Sequence, residues 1–213
     1  MRYYIESDGR IFLVRRGSRF DLPSPNEVPF DIDRIAPLDS SESVWFCVPH
    51  LDAHPHEWPS KDDVDARDDV EPLVRTAVHA SMPRVVVEGL CLRDGKLLLV
   101  KGSRGLTLDR WTLPGGFLRF GETPRDGVLR ELREELGVEA TVEELLDVRA
   151  KLGLHTCLHW VMIFFRVRIA GDPKPNPDEI AEARFVEIDE AARLVRDDLM
   201  RSAIEAVASQ QRI

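Results

Sequence analysis

The chain has 213 residues, 43% hydrophobic and 31% charged, with a formal net charge of −9. This length buries the core of one domain, or of one domain with an appendage, and the composition is that of a soluble globular protein. The acidic balance argues against a nucleic-acid duplex as the main partner, since phosphate binding needs a basic stripe. No apolar run approaches the roughly 20 residues of a membrane span, and the N-terminus lacks an apolar leader segment, so the expected compartment is cytoplasmic.

Arg2 to Ser7 and Arg10 to Arg15 read as a hairpin around Asp8-Gly9, a two-residue turn that favours positive φ. Ser43 to Val48 reads as a third strand. Residues 1–60 are therefore expected to form a small β-rich N-terminal extension. Cys47, His50, His54 and His56 crowd together, but two prolines interrupt them and no standard zinc spacing fits, so a polar surface loop is the reading. Cys47, Cys91 and Cys157 form no C-x-x-C pair, which suits a reducing compartment. Asp62 to Glu71 holds six acids and one arginine. It reads as a solvated linker, or as the capped start of a short helix, Pro72 to Ala80, packing Leu73, Val74, Ala77 and Val78 on one side. Residues 61–82 form this linker and helix, and residues 83–213 the main domain.

In the main domain, Val85 to Leu92 and Lys96 to Val100 read as strands around a second Asp-Gly turn, Asp94-Gly95. Trp111-Thr-Leu-Pro-Gly-Gly leads into a helix expected over Pro124 to Leu136. Thr123 is its N-cap, Pro124 suits the first helical position, Asp126 favours the positive end of the dipole, and Gly137 suits a left-handed stop. Strands follow at Ala140 to Val142, Arg149 to Leu154 and His159 to Ile169, then a Pro-rich loop over Gly171 to Pro177. A last strand, Ala183 to Ile188, precedes a helix capped by Asp189 and a final helix over Asp198 to Ser209. The order predicts an α/β fold with a mixed sheet between helices. Asp8 to Leu22-Pro23 faintly echoes Asp94 to Leu113-Pro114. A duplicated half of the main domain is one explanation, and with no acidic motif after the first copy it would be catalytically empty; coincidence of hairpin chemistry is the simpler explanation.

On the Pro124 helix, Glu131, Glu134 and Glu135 stand at i, i+3 and i+4 and share a face. Val128, Leu129, Leu132 and Leu136 form the stripe for burial. Arg130 reaches Glu134 at i+4 and relieves part of the carboxylate repulsion; a divalent cation would relieve more. Oxygen-only ligands select Mg2+ or Mn2+ over zinc. An acid-rich helix alone is often just a solvated face. Here Gly116, Glu122 and Gly137 stand at fixed offsets around it, which favours a catalytic site.

Gly116 to Val138 reads GFLRFGETPRDGVLRELREELGV and matches the pattern G-x5-E-x7-R-E-U-x-E-E-x-G-U, with U aliphatic, at every fixed position. This pattern is that of the Nudix box, and the chain resembles the Nudix hydrolases over Pro83 to Ile213. The resemblance implies an α/β/α sandwich and metal-dependent cleavage of a pyrophosphate in a nucleoside diphosphate linked to another moiety. It marks Glu134 and Glu135 as principal metal ligands and Glu131 as a further ligand or the general base. The Gly116 carbonyl is a candidate ligand. Glu122 and Arg130 correspond to a supporting salt bridge, with Glu122 a candidate ligand through water. Some members add a carboxylate from a later loop as base or ligand; Glu179 and Glu182 are the candidates, Glu179 the favoured one.

The downstream markers of ADP-ribose, dinucleoside polyphosphate and NADH hydrolases are absent. Nucleoside diphosphate sugars, ADP-ribose-like compounds and modified nucleoside triphosphates stay open as substrates. Trp111, Phe117, Phe120, His155, His159 and Trp160 could stack on a base, although core or strand packing is the plainer role for each. A catalytically silent nucleotide-binding regulator on the same fold would be expected to have lost box carboxylates. An isomerase of the same fold fits poorly around the cysteines. An isolated hairpin is marginal in water, so residues 1–60 are expected to pack on something: a second subunit, in a homodimer where they form the interface or a lid, or the chain's own main domain.

Overall fold

A computed structural model describes residues 1–153 and 157–211. It divides into two compact units: Met1–Pro83 with Lys151–His159, and Arg84–Ala150 with Trp160–Ile213.

The first unit contains β1 (Arg2–Ser7), β2 (Arg10–Phe12), β3 (Val14–Arg16), β4 (Arg19–Asp21), β5 (Ile32–Pro37), β6 (Val44–Pro49) and helix α1 (Pro72–Ser81). Its main sheet has the order β2-β1-β6-β5, with β1 and β6 parallel, while β3 and β4 form a separate ribbon. The expected strand Arg10 to Arg15 is thus broken at Leu13 into two sheets. Two elements went unread. In β4 the pattern is short and charged; in β5, Ile32-Asp-Arg-Ile-Ala-Pro, a bulge between Arg34 and Ala36 breaks the alternation.

The acidic stretch from Asp62 to Glu71 is not a solvated linker. A 3-10 helix over Lys61–Ala66 opens it, with the Ser60 hydroxyl accepting from the Asp62 N–H at 3.2 Å. Val64 and Val70 are fully buried and join Val74, Ala77 and Val78 of α1 in one core with Tyr4, Ile11 and Leu22. The acids point outward around two valines that the charge run had masked. Leu73, placed on the packed side by its spacing, is 37% exposed.

The second unit contains β7 (Arg84–Arg93), β8 (Lys96–Gly102), β9 (Trp111–Thr112), β10 (Gly115–Phe117), α2 (Pro124–Leu136), β11 (Glu139–Leu152), β12 (His159–Ala170), β13 (Ile180–Glu187), α3 (Ile188–Leu194) and α4 (Asp198–Gln211). The sheet runs β11-β12-β7-β8-β13, with β10 beside β7 and β9 beside β8. β7 and β12 are parallel; β8 and β13 are antiparallel. One face packs on α2 through Val87, Cys91, Leu98, Phe165 and Val167. The other packs on α3 and α4 through Leu90, Leu97, Leu99, Met162 and Phe164. This is an α/β/α sandwich.

Helix α2 forms as its termini predict. The Thr123 hydroxyl accepts from the Asp126 N–H at 3.2 Å, and Gly137 ends the helix at φ 60° with its N–H on the Arg133 carbonyl at 3.0 Å. Val128, Leu132 and Leu136 are fully buried, each worth about 1.5–3 kcal/mol of transfer free energy. Leu129 packs at the edge of the same core.

Two expected strands, Ala140 to Val142 and Arg149 to Leu154, are one strand of 14 residues, β11. Its charged middle, Glu143 to Asp147, hid the continuity; Arg166 and Arg168 of β12 pair with Glu144 and Glu143 there. Leu154 lies outside the described residues.

Candidate active site

β10 positions the front of the site. Gly115 stands opposite Glu88 and Gly116 opposite Val87 on β7. A Gly-Gly pair reads as a loop, and only its long-range partners make it a strand. Both glycines are needed by close approach. A Cβ on Gly115 would lie 2.1 Å from the Val87 carbonyl, and φ there is +153°. A Cβ on Gly116 would lie 2.7 Å from Cδ of Glu131. The carboxylate of α2 thus sits directly on the glycine backbone.

Arg130 is the hub. All five of its N–H groups find acceptors. Nε and Nη2 grip Glu122 Oε1 and Oε2 at 2.7 and 2.9 Å. Nη1 donates to Glu131 Oε1 at 2.7 Å and to Glu134 Oε2 at 2.9 Å. Nη2 also donates to the Phe117 carbonyl at 3.0 Å. Such forked, charge-assisted bonds set geometry as well as energy. The Arg130 fork, with the Arg119 N–H, holds the Glu122 carboxyl at about 2, well below the usual range.

The three box carboxylates differ in surroundings. Glu134 is the most open, at 39% side-chain exposure, and Arg119 Nη2 donates to both its oxygens at 3.0 Å. Glu131 is largely buried, and burial raises its pKa against the pull of Arg130. Glu135 is 8% exposed, with Oε2 accepting from the Gly115 N–H at 3.0 Å. Burial pushes it up to about 8, and the charges of Glu131, Glu179 and Glu134 add to the effect. The carboxylate face is therefore half inside the protein rather than solvated.

Glu179 precedes β13. Its carbonyl accepts from the Ser103 N–H at 2.9 Å, and Arg104 donates to its carboxylate. Its charge raises both Glu131 and Glu135, so it stands near the box. Glu182, within β13 opposite Lys101, lies beside Arg184 at 3.9 Å. Three site neighbours escaped the sequence reading. Arg119 and Arg104 are ordinary spacer residues in one dimension. Glu88, 3% exposed on β7 with Oε2 facing Gly115, carried a usable signal: a single acid inside Val-Val-Val-Glu-Gly-Leu-Cys-Leu.

Of the aromatic candidates, Phe117 and Trp160 stack on each other at 5.8 Å, Phe120 is fully exposed, and Trp111 lies under the Arg184 guanidinium at 4.6 Å. His159 is half-buried, and His155 lies outside the described residues. Cys47 is buried in the first unit, where burial raises its thiol to about 11. His50 and His54 instead face Asp33 and Asp8 at 2.9 and 2.6 Å. The cysteine and the histidines do not converge.

Among the described residues no three acidic, histidine or cysteine side chains stand together as a ready cation cage; Glu131 and Glu134 are instead bonded to Arg130 and Arg119. The donor set still fits a hard divalent cation. It is all oxygen, it brings acids close enough to raise one another, and the Gly116 backbone is pressed against one of them.

The family model described as the NUDIX domain matches residues 82–207. The chain belongs to the Nudix hydrolase family. It is 32% identical over 115 residues to an ADP-ribose pyrophosphatase of Methanocaldococcus jannaschii, covering 54% of this chain and 68% of that one. It is 43% identical over 60 residues to a CTP pyrophosphohydrolase of Escherichia coli, covering 28% and 44%. The crystal structure of a MutT NUDIX hydrolase from Burkholderia pseudomallei shares its fold with a TM-score of 0.52 at 28% identity, over 59% of this chain and 98% of that one. The Nudix match thus takes in the whole second-unit sheet and α2, and nearly all of the first unit lies outside it.

Proposed function

We propose that this Nudix hydrolase cleaves the pyrophosphate bond of a nucleoside diphosphate linked to another moiety, in a reaction dependent on Mg2+ or Mn2+. The observation that carries the reading is the placement of the three helix carboxylates at one edge of β10: Glu131 and Glu134 are held by Arg130, Glu131 lies against Gly116, and Glu135 accepts from the Gly115 N–H. A nucleoside diphosphate sugar, an ADP-ribose-like compound and a modified nucleoside triphosphate are the candidate substrates. The named activities of the two relatives, on ADP-ribose and on CTP, support this class.

Glu134 and Glu135 are the principal ligands, Glu131 a further ligand, and the Gly116 carbonyl and Glu122 complete the set. When bound, the cation neutralises diphosphate charge and makes an attached water more acidic. Arg130 orients Glu131 and Glu134 while its fork to Glu122 keeps it from swinging away. Glu179, just before β13 and near the box, takes the proton from the attacking water. The three thiols Cys47, Cys91 and Cys157 are free, which suits the reducing cytoplasm.

The test is a nucleotide panel with each cation and with chelator, with products identified. Metal-dependent release of two phosphate-bearing products from one substrate class supports the proposal. Tight nucleotide binding without turnover would instead support the silent regulator.

A further inference from the structure

The first unit repeats much of the strand pairing of the second, without counterparts to the strands β10 and β13. In the β1–β2 hairpin Glu6 stands opposite Ile11 and Ser7 opposite Arg10; in β7–β8 Leu92 stands opposite Leu97 and Arg93 opposite Lys96. Both turns are Asp-Gly at positive φ, 49° and 72° in one, 52° and 77° in the other. The next strands also keep step. Val14 faces Asp21 and Arg15 faces Phe20, as Val100 faces Thr112 and Lys101 faces Trp111. A Leu-Pro pair follows each time, and the proline carbonyl accepts from the same place on the first strand: the Tyr3 N–H to Pro23 at 2.9 Å, the Gly89 N–H to Pro114 at 2.8 Å.

The long-range pairings agree as well. Tyr3 stands opposite Trp45 and Ile5 opposite Cys47 across the parallel pair β1–β6; Gly89 stands opposite Phe165 and Cys91 opposite Val167 across β7–β12. The strand orders β2-β1-β6-β5 and β8-β7-β12-β11 correspond. Asp-Gly chemistry accounts for a turn. It does not set the register of a parallel pair formed by distant segments, so coincidence of hairpins is not the explanation.

The correspondence continues into the helices. Ser60 bridges Arg10 antiparallel, where Glu187 pairs with Lys96. Four residues beyond each, a short helix buries one side chain completely, Val64 or Ala191. Then Val74, Ala77 and Val78 of α1 repeat the spacing of Met200, Ala203 and Ile204 of α4. The former pack with Tyr4 and Ile11, the latter with the matching Leu90 and Leu97.

The box is missing. Between Pro114 and β11 stand β10 and α2; between Pro23 and β5 stands only a short segment with a 3-10 turn, Pro25–Glu27. Ser24 and Pro25 follow Leu22-Pro23 where Gly115 and Gly116 follow Leu113-Pro114, and Arg2 occupies the place of Glu88. Neutralised pairs replace the carboxylate cluster. Glu27 accepts from Arg16 at 2.6 Å and from the Ser24 N–H at 2.8 Å, Asp21 accepts from Arg16 at 3.0 Å, and Arg2 lies 3.6 and 3.8 Å from Asp21 and Glu27. Two carboxylates and two guanidiniums cancel, which removes the attraction for a cation.

We propose that residues 1–83 are a second domain of the Nudix plan from which the strand and helix bearing the box are gone, so that each chain carries a single hydrolytic centre. The repeat rests on strand pairing alone; the single centre rests also on the metal-dependent reaction proposed above. The test is residue-resolved NMR of the full chain with and without Mn2+. Interstrand contacts are expected between Tyr3 and Trp45 and between Gly89 and Phe165, with Mn2+ broadening the amides of Gly116 and Glu131–Glu135 and leaving Ser24–Glu27 sharp. A different register of β1 on β6 overturns the repeat. Broadening centred on Ser24–Glu27 overturns the single centre. Broadening at neither place overturns the metal-dependent reaction, and with it the centre, while the repeat stands on its contacts.

Discussion

Arg130 and Glu122 are joined by two parallel bonds, at 2.7 and 2.9 Å, and each side chain is 13% exposed. The fork closes the loop between β10 and α2 and leaves the remaining N–H groups of Arg130 for Glu131, Glu134 and the Phe117 carbonyl. A lysine keeps the charge but cannot make the fork. Arg130→Lys is expected to lower kcat by about 10²-fold, the usual cost of misplacing reacting groups by about 1 Å, and to lower Tm. Steady-state kinetics with a thermal melt check both; wild-type kcat in the variant would refute the positioning role.

The two adjacent glycines separate stability from activity. Gly115→Ala puts a Cβ against the Val87 carbonyl, a backbone atom that cannot move aside, so β10 should lose its pairing and the protein its stability. Gly116→Ala meets only the end of the Glu131 side chain, so the fold should survive while kcat falls about 10²-fold. Equal melting temperatures for the two variants would contradict this division.

Chelation should abolish turnover, and Mg2+ or Mn2+ should restore it. Glu134→Gln, at the most open of the three box carboxylates, should keep the circular dichroism spectrum and lose about 10²-fold or more in kcat, since metal-assisted activation is worth several kcal/mol. Full turnover after exhaustive chelation, with contaminating metal excluded, refutes the metal requirement; an unchanged kcat in the folded variant removes Glu134 from the ligand set.

Glu179 follows the turn at Asn176, whose N–H reaches the Glu135 carbonyl, and its charge acts on Glu131 and Glu135, whereas Glu182 lies beside Arg184. Glu179→Gln should therefore lower kcat by about 10²–10⁴-fold with little change in metal affinity, and Glu182→Gln should stay near wild type. If the large loss moves to Glu182, the base moves with it. If both variants keep their rates, the base is a carboxylate of α2.

A homodimer needs a different argument from the one the sequence suggests. The first unit is not a hairpin in search of a partner: its sheet packs Tyr4, Ile11 and Leu22 against α1, and Ile5 and Cys47 into a second cluster. The dimer remains the expectation, and light scattering decides it: a monomer mass at micromolar concentration rules it out.

Local chemistry alone determined α2, both Asp-Gly hairpins and the identity of the box. Thr123, Pro124 and Gly137 act within one turn of the helix they bound, and the spacing of Glu131, Glu134 and Glu135 puts them on one face in any helix. The acidic run from Asp62 to Glu71 misled because Val64 and Val70, not the charges, decide where it lies. Tertiary structure decided the rest. Gly115–Phe117 is a strand only because β7 supplies partners, and Glu135 is raised chiefly by burial and further by neighbouring carboxylates that the fold brings near it. The proposed repeat is faint in the sequence because the side chains at corresponding positions differ on both faces. It is plain in the fold because backbone pairing constrains register and burial, and many apolar side chains satisfy the same buried position.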